Sequence, residues 1–274
     1  MLRQILLILT AIATLGFAQQ TKPDRIVTYK ETGDIKLTLH IFNPPGHSPN
    51  DKTPAIVFFF GGGWANGSPR QFYPQSAHLA SRGMVAVSAD YRIKNKHHTT
   101  PTESTLDAKS SMRWVRSHAK ELGINPNRIA AGGGSAGGHL TLMTALNTNL
   151  NDAADDLSVS CRPDALVLFN PALDGSPGTL CNKLFGDNWE SLSPMHMVRP
   201  TPPPAIIMQG TKDKLIPVED AEKFKALLED AGGTCTLKLY QDQPHGFFNK
   251  LKYKETLTDA DKFLTSIGYL PEKP

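Results

Sequence analysis

Ala131-Gly132-Gly133-Gly134-Ser135-Ala136-Gly137-Gly138 follows Asn127-Arg128-Ile129-Ala130, which reads as a short buried strand, and precedes His139 to Leu146, which reads as a helix. Within it, Gly133-x-Ser135-x-Gly137 is the pattern of a nucleophile elbow, a strand that turns sharply into a helix with a serine at the apex. The turn has to be tight for the serine hydroxyl to project above the sheet. A side chain two residues before or after the serine would strike the neighbouring strand or helix, so glycine is required at both places. The helix that follows aims its free N–H groups at the same spot, which favours a developing negative charge. The competing reading is a glycine-rich strand-to-helix turn with an incidental serine, and the rest of the chain has to decide between them.

Upstream, Pro54 to Phe60 is a continuous apolar run, as expected of a strand buried on both faces. It ends in Gly61-Gly62-Gly63-Trp64, whose bare backbone N–H groups could line an anion site. The position matches the second oxyanion-donor loop of hydrolases that carry this elbow. Before it, Arg25 to Lys30 and Ile35 to Phe42 alternate around Gly33-Asp34 and predict an edge hairpin. Arg70–Arg82 and Ser104–Leu122 predict helices, with the strand Met84–Ala89 between them. Asp90-Tyr91-Arg92 and Asp107 read as structural anchors, and His97 and His98 as solvated loop residues.

Downstream, strands are expected at 164–170, 205–209 and 235–240, and helices at 218–231 and 256–267. Residues 171–204 show no sustained period and read as a lid or wall. The alternation from residue 54 onward predicts an α/β fold: a mostly parallel, doubly wound sheet with helices on both faces and a short lid after the sixth strand.

Chain order then becomes informative. Ser135 follows one strand, Asp213 a later one and His245 the last. Ser…Asp…His is the order of the α/β-hydrolase lineage, and all three residues fall just past strand ends, where open α/β sheets bind ligands. In that chemistry His245 takes the proton of Ser135, Asp213 fixes the imidazole tautomer, and N–H groups of Gly62, Gly63 and Ala136 hold the oxyanion. Other residues compete for these roles. His139 lies on the elbow helix and approaches Ser135 poorly. His196 lies in the lid. Asp242 is too close to His245 in sequence, and Glu219 and Asp220 suit a helix start. Trp64 has two readings, stacking on a sugar or aryl ring of a substrate, or packing under the glycine loop. Phe247 and Phe248 read as core.

Composition excludes some classes. The 274 residues suit one large α/β domain, 39% hydrophobic residues suffice for its core, and a net charge of +3 without a basic stretch points away from nucleic acid. Arg3 followed by the apolar run Ile5–Phe17 and then Gly16-Phe17-Ala18 predicts a signal peptide over 1–18, leaving a single domain at 19–274 that is secreted or periplasmic and off the membrane. Cys161, Cys181 and Cys235 offer only poor disulfide pairings, Cys161 with Cys235 being the best of them. No metal site and no cofactor is implied.

Gly61-Gly62-Gly63-Trp64, Asp90-Tyr91-Arg92, the elbow, Gly210-Thr211-Lys212-Asp213 and His245-Gly246-Phe247 together resemble the α/β-hydrolase esterases with a His-Gly-Gly-Gly loop, in particular the bacterial acetyl xylan and feruloyl esterase group. The resemblance runs from about residue 25 to the C-terminus. It implies a serine carboxylic-ester hydrolase acting on short acyl esters, such as acetyl or feruloyl groups on plant polysaccharides, with an ester substrate as the partner. An amide-cleaving relative and a non-catalytic binding protein on the same fold are the alternatives. Phe60 stands where the family's loop has histidine. The first strand also begins too early for the N-terminal helical cap that one branch carries, so an open site covered only by residues 171–203 is expected, suited to a bulky polar substrate.

Overall fold

The computed structural model describes residues 22–272, so the segment read as a signal peptide lies outside the described residues. Its strands are β1 (Arg25–Thr32), β2 (Ile35–Phe42), β3 (Thr53–Phe59), β4 (Val85–Ala89), β5 (Ile124–Gly134), β6 (Ala165–Phe169), β7 (Ala205–Gly210) and β8 (Cys235–Tyr240). They form a sheet in the order β1-β2-β4-β3-β5-β6-β7-β8. β1 and β2 make the expected antiparallel hairpin, β2 meets β4 antiparallel, and every later pairing is parallel. Of the strands, β3, β4, β6 and β7 read as nearly unbroken apolar runs because both faces of the sheet are covered. In β6 the alternation is visible. Leu166 and Leu168 pack in a cluster with Phe224 and Leu228, while Val167 and Phe169 face a cluster holding Phe263 and Leu264.

The helices are α1 (Tyr73–Ser81), α2 (Lys94–His97), α3 (Pro101–Ser117), α4 (Ala136–Leu146), α5 (Leu180–Phe185), α6 (Trp189–Leu192), α7 (Val218–Asp230) and α8 (Tyr253–Ser266). Two boundaries differ from expectation for local reasons. α3 starts at Pro101 because Thr100 and Glu103 form a capping box ahead of a proline at the first helical position. It stops at Ser117, and the following residues continue as turns to Gly123. The stretch 171–204 is not free of regular structure. It is built from α5, α6 and 3₁₀ turns at Gly186–Asn188 and Pro194–His196, each too short to display a helical period. Thr179 caps α5 by accepting from the Asn182 N–H at 3.1 Å.

Asp90-Tyr91-Arg92 anchors the loop after β4. Arg92 donates through its backbone N, Nε and Nη2 to the buried Asp107 carboxylate, which also pairs with Lys30 Nζ at 2.8 Å. The loop after β4 is thereby tied to α3 and to the hairpin. All three cysteines are buried and free, and burial pushes the Cys181 and Cys235 thiols up to about 12. Among the described residues no helix is long and apolar enough to cross a membrane.

Candidate active site

At the end of β5 the chain turns through Ser135 with φ 55° and ψ −119°, a left-handed conformation that strains any residue with a side chain. The strain is held from both sides. The Ser135 N–H donates to the Phe169 carbonyl at 3.0 Å, and the Ser135 carbonyl accepts from the N–H groups of His139 and Ala172. The flanking glycines are required by contact. A Cβ at Gly137 would lie 2.0 Å from the Phe59 carbonyl oxygen, and one at Gly133 would lie 2.4 Å from the Gly137 backbone. The first collision is with strand β3, the second with the elbow's own helix.

The structure brings Ser135, His245 and Asp213 into one hydrogen-bonded line. His245 Nε2 lies 2.9 Å from Ser135 Oγ, and His245 Nδ1 lies 2.7 Å from Asp213 Oδ2. Since the carboxylate only accepts, Nδ1 carries the proton and Nε2 is left to accept from the serine hydroxyl. The Asp213 side chain is fully buried. Its Oδ1 accepts from the N–H groups of Leu215 (2.9 Å) and Ile216 (3.0 Å), and Gln209 Nε2 donates to Oδ2 at 3.1 Å. Burial is the largest single influence and raises its pKa. The bonds from His245, Ile216 and Leu215 together outweigh it and hold the carboxyl below its ordinary value.

Three side chains at the site carry no motif. Gln71 Oε1 accepts from the Gly61 N–H at 2.6 Å and so occupies that donor. The N–H groups of Gly62, Gly63 and Ala136 have no acceptor among the described residues, so they are free donors near Ser135. Asn170, buried at the end of β6 with φ 36°, accepts from the Gly246 N–H at 3.1 Å and fixes the loop that carries His245. Gln209 bridges Asp213 and the Ile216 carbonyl. Asn170 and Gln209 could have been suspected from their places at strand ends, whereas Gln71 leaves no signal in the sequence. At position 60, the phenylalanine ring stacks on Tyr91 at 4.0 Å, and the Tyr91 hydroxyl donates to the Phe60 carbonyl at 2.6 Å. The start of the glycine loop is therefore held through its main chain.

Ser135, His245 and the glycine loop open into a cavity of about 320 Å³, walled by Leu180 and Leu184 of α5, by Leu215 and Ile216, and by Phe248. Leu180, Leu184 and Leu215 are nonetheless 43%, 44% and 48% exposed, so the mouth is open and apolar. The expectation of a site covered by the 171–203 segment holds for α5. The lid contributes leucines where it meets the cavity, so the open site is apolar at its mouth. A larger hollow of about 520 Å³, lined by Tyr29, Lys30, Arg113 and Asp152 among others, contains none of these groups.

The remaining candidates fall away from the line. Trp64 lines the cavity but is 3% exposed, set edge-on against His139 and Phe185, so it packs under the loop and presents no free face for stacking. His139 is fully buried and donates from Nε2 to the Leu192 carbonyl at 2.7 Å. His196 is exposed and bonded to Ser193. Asp242 pairs with Lys212 on the surface, and Glu219 and Asp220 sit in the first turn of α7. His97 Nδ1 accepts from the Ile93 N–H, and among the described residues no group of three His, Cys, Asp or Glu could hold a metal ion. Phe247 and Phe248 are buried.

Known proteins resemble this chain in sequence and fold. A family profile described as BD-FAE matches residues 39–167, and one described as the dienelactone hydrolase family matches residues 191–266. The structure of Thermogutta terrifontis esterase 2 phosphoramylated by tabun superposes with a TM-score of 0.87 at 42% identity, covering 91% of this chain and 96% of that one. The propionate-bound form of that esterase superposes with a TM-score of 0.88 at 40% identity, covering 93% and 98%. An acetylxylan esterase of Xylanibacter ruminicola is 27% identical over 282 residues, covering 95% of this chain and 55% of its own length. The chain spans about half the length of the curated relatives it matches.

Proposed function

The chain belongs to the α/β-hydrolase esterases, and on that premise we propose that it cleaves carboxylic esters through an acyl-enzyme, with Ser135 as nucleophile. The observation that carries the reading is the unbroken Ser135–His245–Asp213 line opening beside three free N–H donors. Ser135 Oγ attacks the ester carbonyl while His245 Nε2 takes its proton. The oxyanion is received by the N–H groups of Gly62, Gly63 and Ala136, each such donor being worth about 3 kcal/mol of transition-state stabilisation. His245 returns the proton to the departing alcohol, and water repeats the sequence to release the acid. Asp213 holds the imidazole in the tautomer both steps need.

The substrate class is a short acyl or aryl ester, with acetyl or feruloyl groups on plant polysaccharides as the leading case. The acyl part is supported by the apolar cavity of about 320 Å³ and by the propionate held by a 40% identical esterase. The polysaccharide part is supported by the acetylxylan esterase relative. The reading includes export, carried by the pattern of residues 1–18. N-terminal sequencing of the processed protein from the periplasm or medium should begin at Gln19, and an intact Met1 there would remove that part.

The test is acetate and ferulate release from acetylated and feruloylated xylan, with Ser135→Ala as the blank. Release that vanishes in the variant is the expected result. Cleavage of small aryl acetates alone would keep the mechanism and remove the polysaccharide. Equal release by the variant would remove Ser135 as nucleophile.

A further inference from the structure

Beside the Ser135 cavity lies a second, smaller hollow of about 140 Å³, lined by Gly63, Trp64, Lys94, Thr99, Thr100, Pro101, Lys183 and Leu184. The two share Gly63, Trp64 and Leu184 in their walls, so they lie side by side at the glycine loop. Its lysines come from separate elements, Lys94 from the first residue of α2 and Lys183 from α5 of the lid. Lys94 is placed by the backbone, its N–H donating to the Trp64 carbonyl at 2.9 Å. Among the described residues neither lysine has an ion-pair partner. The nearby acid of α3, Glu103, is engaged by the Thr100 N–H (2.7 Å) and hydroxyl (2.6 Å). Two further lining residues carry buried polar atoms without a hydrogen-bond partner among the described residues, Trp64 Nε1 and Thr99 Oγ1, and both can donate.

We propose that Lys94 and Lys183 form an anion subsite that receives a carboxylate at the far end of the substrate's acyl group. This rests on the ester-hydrolase reading above. The acyl side is chosen by geometry. The alcohol leaves toward His245, which protonates it, and the smaller hollow shares no residue with the loop that carries His245. It adjoins instead the donors that hold the carbonyl oxygen. An ester of a dicarboxylic acid would place its reacting carbonyl at Ser135, its methylenes along Leu184 and its free carboxylate between the lysines. Two donors on separate elements set a length preference that a single surface lysine would not.

The experiment compares kcat/KM for the 4-nitrophenyl monoester of glutaric acid with that for the length-matched 4-nitrophenyl pentanoate, in the wild type and in Lys94→Met/Lys183→Met. The ratio should fall at least tenfold in the variant, mainly through KM, and should fall in the wild type as salt is raised. Lys183→Glu should lower it further than Lys183→Met. An unchanged ratio overturns the subsite. A loss seen instead with 4-carboxyphenyl pentanoate, and not with the glutarate ester, overturns the acyl-side assignment. If none of these esters is cleaved, the ester-hydrolase reading fails, and calorimetric binding of glutarate against pentanoate to the same proteins still decides the subsite.

Discussion

Two histidines follow the elbow in the chain, and they have opposite fates. His139 sits four residues after Ser135 on the elbow helix, fully buried, with Nε2 donating to a lid carbonyl and Nδ1 without a partner among the described residues. His245 comes 110 residues later, partly exposed, with a carboxylate on one nitrogen and the serine hydroxyl on the other. Burial pushes the His139 pKa down to about 4, so this imidazole is neutral at physiological pH and serves as a strut between the elbow helix and the lid. What separates a base from a strut is therefore the pair of partners, one a fixed carboxylate and the other a proton donor facing a cavity. Nearness in sequence to the nucleophile has no bearing on it.

The largest effect that could break this comparison is on turnover. His245→Ala should lower kcat on an aryl acetate by about 10⁴-fold or more, whereas His139→Leu should leave kcat of the folded protein within about tenfold. Steady-state kinetics of both variants against one substrate settles it, and comparable losses would erase the distinction. The smaller effect is on stability. The folded pKa of His139 lies below the ordinary 6.5, so its contribution to stability is complete above pH 6.5 and is lost as pH falls toward 4. The full span is roughly 3 kcal/mol. Urea unfolding at pH 7.5 and pH 4.5 should show the loss in the wild type and a shallower dependence in His139→Leu. His40 and His97, also shifted down by burial, remain in both proteins and cancel in the difference.

Much of the site was legible because its constraints are local. A serine flanked by glycines at two-residue spacing, set between an apolar strand and a helix, has few other uses, and the contacts at Gly133 and Gly137 show the steric reason. The order of Ser135, Asp213 and His245 was readable because each follows an apolar run, and parallel strands bring their C-terminal ends to one edge of the sheet. The lid was misread as irregular because its helical turns are four to six residues long, below the length at which a period declares itself. The polar supports were invisible for another reason. Gln71 reaches Gly61 across ten residues and Asn170 reaches Gly246 across 76, and nothing in either local sequence marks the partner.

Residues 54–64, 127–146 and the strand ends at 213 and 245 determine the fold class, the elbow and the members of the hydrogen-bonded line, since strand and helix periodicity and glycine sterics act over a few residues. Which histidine joins the line, which glycine N–H stays free, whether Trp64 shows a face, and that lysines from α2 and α5 line one hollow are decided only in three dimensions. Those outcomes depend on burial and on hydrogen-bond partners supplied by distant segments. Burial and pairing are properties of the packed chain, set by the competition for buried polar groups that arises once the helices cover the sheet.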